Sequence, residues 1–276
     1  MEAPYRQVET EQVATDTHVI RQLWGEGVAP VAVFINSMVI TGAEPVVVDC
    51  GPKISGKAWM KEVFDVVEPE DVRWIYLSHE DHDHTGNLIE MLDLCPNATL
   101  VTTWFMAERY AAEHMLPFER MRWINHGERF SVGDRELVAV TPPAFDSPTT
   151  RGLFDPSTGV YWAVDSFGCP VTHDVRDISE LDEGFWREGF LHSQRLVSPW
   201  HQWLDPTKFA THVDSIRRLG ATKITNAHGP TLHGAQLDAA YDLMVQIPNM
   251  AEAPLPTQSD LDAILAGLGV TAPIAA

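Results

Sequence analysis

Between Ser78 and Gly86 the chain places six ionisable side chains in a row, His79-Glu80-Asp81-His82-Asp83-His84, and half of them are histidine. Imidazole and carboxylate donors at this density are what a two-metal site requires. Written as H-x-D-x-D-H, the run offers His79, Asp81, Asp83 and His84. In an extended loop alternate residues point the same way, so 79, 81 and 83 can converge, while His84, at the start of a helix, can turn toward a second ion. A solvated charge run is seldom so rich in histidine, and this one lies between an apolar strand and Thr85-Gly86. A dinuclear site also needs donors from elsewhere, preferably at strand ends. Asp165 closes the apolar run 160–164, where a carboxylate can bridge two ions. His228 closes the run 223–226 and precedes Gly229-Pro230, which lets the backbone turn close to a metal.

The remaining histidines carry weaker expectations. His82 lies on the opposite face of the run from 79, 81 and 83, facing away from the ions. His18, His114, His126 and His212 read as surface or packing residues, and His173, His192, His201 and His233 fall where they could wall a pocket. Asp49 is placed to orient a ligand histidine through its carboxylate. Phe145, Phe167, Trp200 and Trp203 read more as core than as pocket wall.

These residues need elements to hold them. Residues 31–40 and 44–49 are rich in β-branched side chains, with Thr41-Gly42 as a hairpin turn between them. A helix is expected over 56–67, with Trp59, Val63, Phe64 and Val67 on one side. Residues 72–78 form a buried strand that leads into the histidine run, and a short helix follows over 87–94. A strand over 99–103 and a helix over 103–114 come next, then a hairpin within 129–140 turned at Gly133-Asp134, and a strand over 159–164. The stretch 174–203 is aromatic and loop-rich, without a clear period. A helix over 206–219, a strand over 223–226 and a helix over 234–246 complete the body. Strands bracketed by helices in two roughly equivalent halves imply an α/β (α+β) chain folded as a four-layer αββα sandwich. The body is expected over 1–250, and 251–276 as a tail whose stretch 260–269 could form a short docking helix, on its own domain or on a second subunit of a homodimer.

Together, Asn36-Ser37, Asp49-Cys-Gly51, His79-x-Asp-x-Asp-His84-Thr-Gly86, Asp165-Ser-Phe-Gly168 and His228-Gly229-Pro230 resemble the metallo-β-lactamase superfamily. Within it the pattern is most similar to the diiron domain of flavodiiron proteins and their stand-alone oxygen-binding relatives. The resemblance covers roughly residues 30–235. Hydrolases of the superfamily usually carry histidine at the third position of the loop motif and the diiron branch a carboxylate; here it is Asp81. The branch typically has glutamate there, one methylene longer. It also has a histidine in a His-Trp-Pro-Asp-Ser segment, and the matching stretch Pro142-Pro-Ala-Phe-Asp-Ser-Pro148 places Asp146 at that histidine's position. If Asp146 binds, the resemblance gives one ion His79, Asp81, Asp146 and Asp165, and the other Asp83, His84, His228 and the shared Asp165. If it does not, the first position is weak or empty.

An oxygen-rich first position favours iron or manganese over zinc. The resemblance thus implies a non-haem diiron protein that binds or reduces dioxygen, or nitric oxide. Because the sequence stops at Ala276, no bound flavin is expected, and electrons would come from a rubredoxin- or flavodoxin-like donor. The alternative is a dinuclear hydrolase of esters, thioesters or lactones, and a third reading is a degenerate member serving as a scaffold.

Composition is compatible with these readings. The 276 residues carry 39 acidic against 19 basic side chains, a net charge of −20, which argues against a protein that grips nucleic-acid phosphates. Cys50, Cys95 and Cys169 include no short-spaced pair, which excludes a thiolate zinc site of CxxC type, and their odd number does not suggest a disulfide framework. No signal pattern and no apolar run of the ~20 residues that a membrane span needs is present, so a cytoplasmic location is expected.

Overall fold

The computed structural model describes residues 5–27, 29–267 and 269. Among the described residues, thirteen strands form two sheets. The first runs in the order β1 (Tyr5–Ala14), β2 (Thr17–Trp24), β3 (Val33–Ile40), β4 (Val46–Val48), β5 (Trp74–Tyr76), β6 (Thr99–Thr102) and β7 (Met121–Trp123). Its first four strands are antiparallel and β4 to β7 are parallel. The second sheet comprises β8 (Arg129–Ser131), β9 (Glu136–Val140), β10 (Gly152–Asp155), β11 (Val160–Trp162), β12 (Lys223–Thr225) and β13 (Leu232–His233), with only β11 and β12 parallel.

Alternation along the strands builds the layers, because successive side chains leave a strand on opposite faces. Val46 and Val48 of β4 point between the sheets, where they meet Leu137 and Ala139 of β9 and Val160 and Trp162 of β11. Val47 points the other way, into a core formed with α1 (Gly56–Phe64), α3 (Leu88–Leu94) and α4 (Trp104–Tyr110). Val138, Val140 and Tyr161 face outward from the second sheet. There they are covered by α5 (Glu183–Val197), α6 (Pro206–Arg217) and α7 (Ala235–Met244). The result is the expected αββα sandwich. The two remaining helices are α2 (His82–Thr85), within the histidine run, and α8 (Gln258–Gly267), which has no buried residue.

Three differences from the sequence expectation have physical causes. α1 ends at Phe64, and Val67 is buried from the turn beyond it. The hairpin of β1 and β2 has no counterpart in the expected elements. Two register shifts in β1 let Val8 join the outer core of the second sheet and Val13 the core between the sheets, which erases a two-residue rhythm. Finally, α5 occupies the stretch expected to lack a period. Its buried stripe is Trp186, Phe190 and Gln194, one residue per turn and one of them polar, interrupted by Gly184 and Gly189. Its start is marked by Asp182, whose carboxylate accepts the Phe185 amide at 2.9 Å.

All strands that feed the site end on the same side. β4 leads to Asp49, β5 to the histidine run, β11 to Asp165 and β12 to His228. β9, which runs in the direction of β11 because both are antiparallel to β10, leads to Asp146. The carboxyl ends of parallel strands, where the two sheets face each other, are the usual place for a site in such folds.

Candidate metal centre

The histidine run leaves β5 through a fully buried segment, Leu77-Ser78-His79. It remains extended through Asp81, whose φ is −66° and ψ 148°, and turns helical at His82. The alternation expected for 79, 81 and 83 therefore holds only for His79 and Asp81. Asp83 and His84 lie on the helical turn and reach toward His228 instead. Asp83 Oδ2 is 3.6 Å from His84 Nε2 and 3.5 Å from His228 Nε2. Thr85 Oγ1 locks the turn by donating to the Asp81 carbonyl at 3.0 Å.

Asp165 is at the centre. Its Oδ1 is 3.1 Å from both His84 Nε2 and His228 Nε2, and its Oδ2 is 3.3 Å from His79 Nε2. The backbone on both sides is strained: Val164 has φ 60° and Phe167 φ 66°, a region that β-branched and bulky residues rarely enter. Gly168 completes the turn, and a Cβ there would come within 3.0 Å of the His228 Cβ. Asp146, half-buried, closes the other flank. One of its carboxylate oxygens shares a cluster no wider than 4.8 Å with donor atoms of His79 and Asp81. All seven candidate residues thus converge as two sets, His79, Asp81 and Asp146 on one side and Asp83, His84 and His228 on the other, with Asp165 between them.

Each imidazole is oriented from behind. His84 Nδ1 donates to Asp49 Oδ2 at 2.9 Å, His228 Nδ1 to the Phe34 carbonyl at 3.0 Å, and His79 Nδ1 faces Ser78 Oγ at 3.1 Å. With Nδ1 held as a donor, Nε2 is the atom that every ring turns to the centre, and its lone pair is what a metal ion would take in place of a proton. Asp49, at φ 61°, also accepts from the Ser78 amide, the Ser78 hydroxyl and Trp162 Nε1. Asn36 steadies the His228 turn by donating to the carbonyls of Asn226 and Gly229 at 2.9 and 3.0 Å.

The electrostatics favour positive charge. Burial opposes ionisation of Asp165, but the His79, His84 and His228 imidazoles outweigh it and hold the carboxyl well below its usual range. Burial pulls His228 down, yet Asp165 and Asp83 raise it to about 9. His84 and His79 are raised in the same way, against burial, by the carboxylates around them. Asp81 lies low through its contact with His79. Asp146 differs: burial and then the charge of Asp165 push its carboxyl up to about 6. Four buried polar atoms at this point, His79 Nε2, His84 Nε2, Asp146 Oδ1 and Asp165 Oδ1, have no hydrogen-bond partner. Orphaned buried donors of this kind, pointed at one another and rich in negative charge, fit metal ions.

The sequence pattern missed the supports. Glu80, in the middle of the run, turns away from the centre and accepts from Ser147 Oγ at 2.9 Å, from Arg109 Nε at 2.8 Å and from Thr149 Oγ1. It thereby ties the histidine loop to the loop carrying Asp146. α5 holds two loops at once. Gln194 accepts from the Phe167 amide at 2.9 Å and donates to the Gly168 carbonyl at 2.8 Å, while Ser198 Oγ accepts from the Phe145 amide at 2.9 Å. Nothing in the spacing of these polar residues marks them, since their partners are distant in sequence.

An open groove of about 1050 Å³ reaches the centre at Asp83, with Glu80, His82, Arg109 and His114 along it and Trp24, Ile35 and Tyr110 as apolar wall. His82 is exposed and outside the cluster, as its position in the run suggests. Of the histidines expected to wall a pocket, none lines the groove: His201 is buried against the Ile247 carbonyl, and His233 pairs with Asp177 at 2.6 Å. Phe167 packs into the core on Phe190 and Tyr241, whereas Trp203 is exposed. Among the described residues no helix is long and apolar enough to cross a membrane.

A family model described as "ODP family beta lactamase" matches residues 34–229. The chain is 26% identical over 206 residues to the type A flavoprotein of Rhodobacter capsulatus, covering 74% of this chain and 46% of that protein. It is 22% identical over 173 residues to the anaerobic nitric oxide reductase flavorubredoxin of Salmonella typhi, covering 59% and 36%. The chain spans less than half the length of these curated relatives. Among solved structures it superposes on the flavodiiron protein of Giardia intestinalis with a TM-score of 0.73 at 16% identity, covering 88% of this chain and 60% of that one. On the rubredoxin oxygen:oxidoreductase of Desulfovibrio gigas the TM-score is 0.72 at 16% identity, covering 87% and 62%. These structural likenesses are of fold.

Proposed function

The chain belongs to the ODP beta-lactamase family, and from that premise we propose that it holds a dinuclear iron centre that binds or reduces dioxygen, with nitric oxide as a second diatomic ligand. His79, Asp81 and Asp146 would hold one ion, Asp83, His84 and His228 the other, and Asp165 would bridge them. The observation that carries this reading is the donor set itself: four carboxylates beside three imidazoles, arranged on both sides of one buried carboxylate. Oxygen-rich donors favour iron and manganese over zinc, and carboxylates stabilise higher oxidation states. When bound, the two ions supply electrons and an open coordination position for the diatomic ligand.

The chain's own residues do the rest. Asp49, Ser78 and the Phe34 carbonyl keep the Nδ1 protons turned outward, so the Nε2 atoms remain donors. The buried strand ends keep the inner side of the centre dry, while Asp83, partly exposed, leaves the groove side open to a small molecule. A rubredoxin- or flavodoxin-like protein would deliver electrons. The names of the relatives, flavorubredoxin and rubredoxin oxygen:oxidoreductase, support a donor of that kind.

The groove favours a second reading. At about 1050 Å³ it is far larger than a diatomic gas needs, and a hydrolase of esters, thioesters or lactones would use such space. Metal analysis of protein purified from iron-supplemented cells, followed by anaerobic dithionite reduction and oxygen-uptake measurements, separates the two. Two irons per chain, a reducible visible spectrum and oxygen consumption by the reduced protein support the diiron reading. Two zincs, no response to dithionite and ester turnover would replace it with the hydrolase.

A further inference from the structure

We propose that the two metal positions are unequal: the Asp83–His84–His228 position fills first and holds its ion tightly, whereas the His79–Asp81–Asp146 position is exchangeable and discriminates less among divalent ions. The inference rests on the dinuclear reading and deepens it by assigning the difference to named residues.

The positions differ first in how their donors are braced. Both imidazoles of the tight position have strong acceptors behind them. Asp49, fully buried, accepts a hydrogen bond from His84 Nδ1 at 2.9 Å, and the Phe34 carbonyl, fixed in β3, accepts one from His228 Nδ1 at 3.0 Å. The His228 backbone is pinned again by Asn226 Oδ1 at 3.0 Å. At the other position His79 has only the neutral Ser78 hydroxyl at 3.1 Å, and that hydroxyl's own proton goes to Asp49 at 2.9 Å. The Asp81 side chain is 46% exposed. Among the described residues no donor from another residue reaches the Asp146 carboxylate, and its Oδ1 is buried without a partner. The loop around it is tied down through Phe145, Ser147 and Thr149, but the ligating group is not. Partners that orient ligands are worth about 10–100-fold in metal affinity, so their uneven distribution sets the order of filling.

The donor types differ in the same sense. With Asp165 counted on both sides, the tight position has two imidazoles and two carboxylates, the loose one a single imidazole and three carboxylates. Nitrogen donors steepen the preference for later divalent ions, and oxygen donors flatten it. Asp146 is thus the residue that decides what the loose position accepts, in competition between manganese and the later ions.

Anaerobic titration of the metal-free chain tests this, with Co(II) followed by its visible absorption and Mn(II) by loss of its free-ion paramagnetic resonance signal. Two steps are expected, one equivalent each, with the second about 10–100-fold weaker and with a smaller Co(II)-over-Mn(II) preference. His228→Asn should remove the tight step and leave the weak one. Asp146→His should strengthen the second step and steepen its preference for Co(II), leaving the first unchanged. If that variant does not fold by circular dichroism, Asp146→Asn serves instead, and is expected to lose only the weak step. Two ions bound with equal affinity, or a second step indifferent to Asp146, overturns the inference and leaves the dinuclear reading standing. Fewer than two ions at saturation removes both.

Discussion

His84 donates a hydrogen bond from Nδ1 to Asp49 Oδ2 across 2.9 Å, inside a shell where neither side chain is more than 1% exposed. Asp49 accepts three further hydrogen bonds there, from the Ser78 amide, the Ser78 hydroxyl and the Trp162 indole. One carboxylate thus joins β4, β5 and β11 and fixes the tautomer of a metal-facing imidazole. The positive φ of Asp49 is the strain accepted for that placement.

Asp49→Asn keeps the size of the side chain and tolerates the positive φ, but replaces one acceptor oxygen with an NH₂ group, which then faces either the Ser78 amide at the Oδ1 position or the three donors gathered at Oδ2. Loss of stability by about 1–3 kcal/mol is expected, since buried donors lose their acceptor. Metal affinity should fall about 10–100-fold, read by competition with a chelator of known strength. Unchanged affinity would show that the ring orientation of His84 is set by packing alone.

Glu80→Gln tests the tie between the histidine loop and the Asp146 loop. The carboxylate meets Arg109, Ser147 and Thr149, and its Arg109 partner is 46% exposed, so the salt bridge itself contributes little. The hydroxyl contacts are partly buried, and about 1 kcal/mol of stability is expected to go with them. Occupancy of the position that includes Asp146 should fall while the other stays filled, which metal analysis after gel filtration reports.

How the site could be read in the sequence, and where it could not, follows from the range of the forces involved. His79 to His84 announce themselves because their backbone is continuous, and Asp165 and His228 because each ends an apolar run. The change from extended to helical at His82 takes Asp83 out of the set that alternation alone implies and into the one with His84 and His228 that the family resemblance implies. Strands that are continuous apolar, β-branched runs, such as β4 and β9, are legible. β1, with its bulges, and α5, with one buried residue per turn, are not. Asp49 could be suspected from its place at a strand end. Gln194 and Ser198 carry no local signal, since they act on residues 26–53 positions away.

A pH effect independent of the centre is expected at Asp155. Burial would raise its carboxyl, but hydrogen bonds from Ser157 and Arg135 outweigh burial and hold it below the usual range. Arg135 reaches it at 3.0 Å while also engaging Asp16 and Asp134. A depressed folded value stabilises the protein at pH above the unfolded value of about 3.9, and the contribution is lost as pH falls through the folded value. Melting temperatures between pH 3 and 7 should show wild type above Asp155→Asn near neutrality and the two converging in acid. Parallel curves would mean that Asp155 is not what titrates.

Removing metal tests Asp165 most directly. An ion that binds only the folded chain adds about 2.7 kcal/mol at a hundredfold excess over its dissociation constant. For a chain of this size that is about 5–10 °C in melting temperature. Chelation should lower the melting temperature of the wild type by that amount, and re-addition of Fe(II) without oxygen should restore it. In Asp165→Asn the group facing all three Nε2 atoms keeps its shape but loses its charge and its bridging capacity. Its melting temperature should be nearly insensitive to chelator, and the bound metal should fall below two per chain. A variant that still loses several degrees on chelation would place the ions somewhere other than around Asp165.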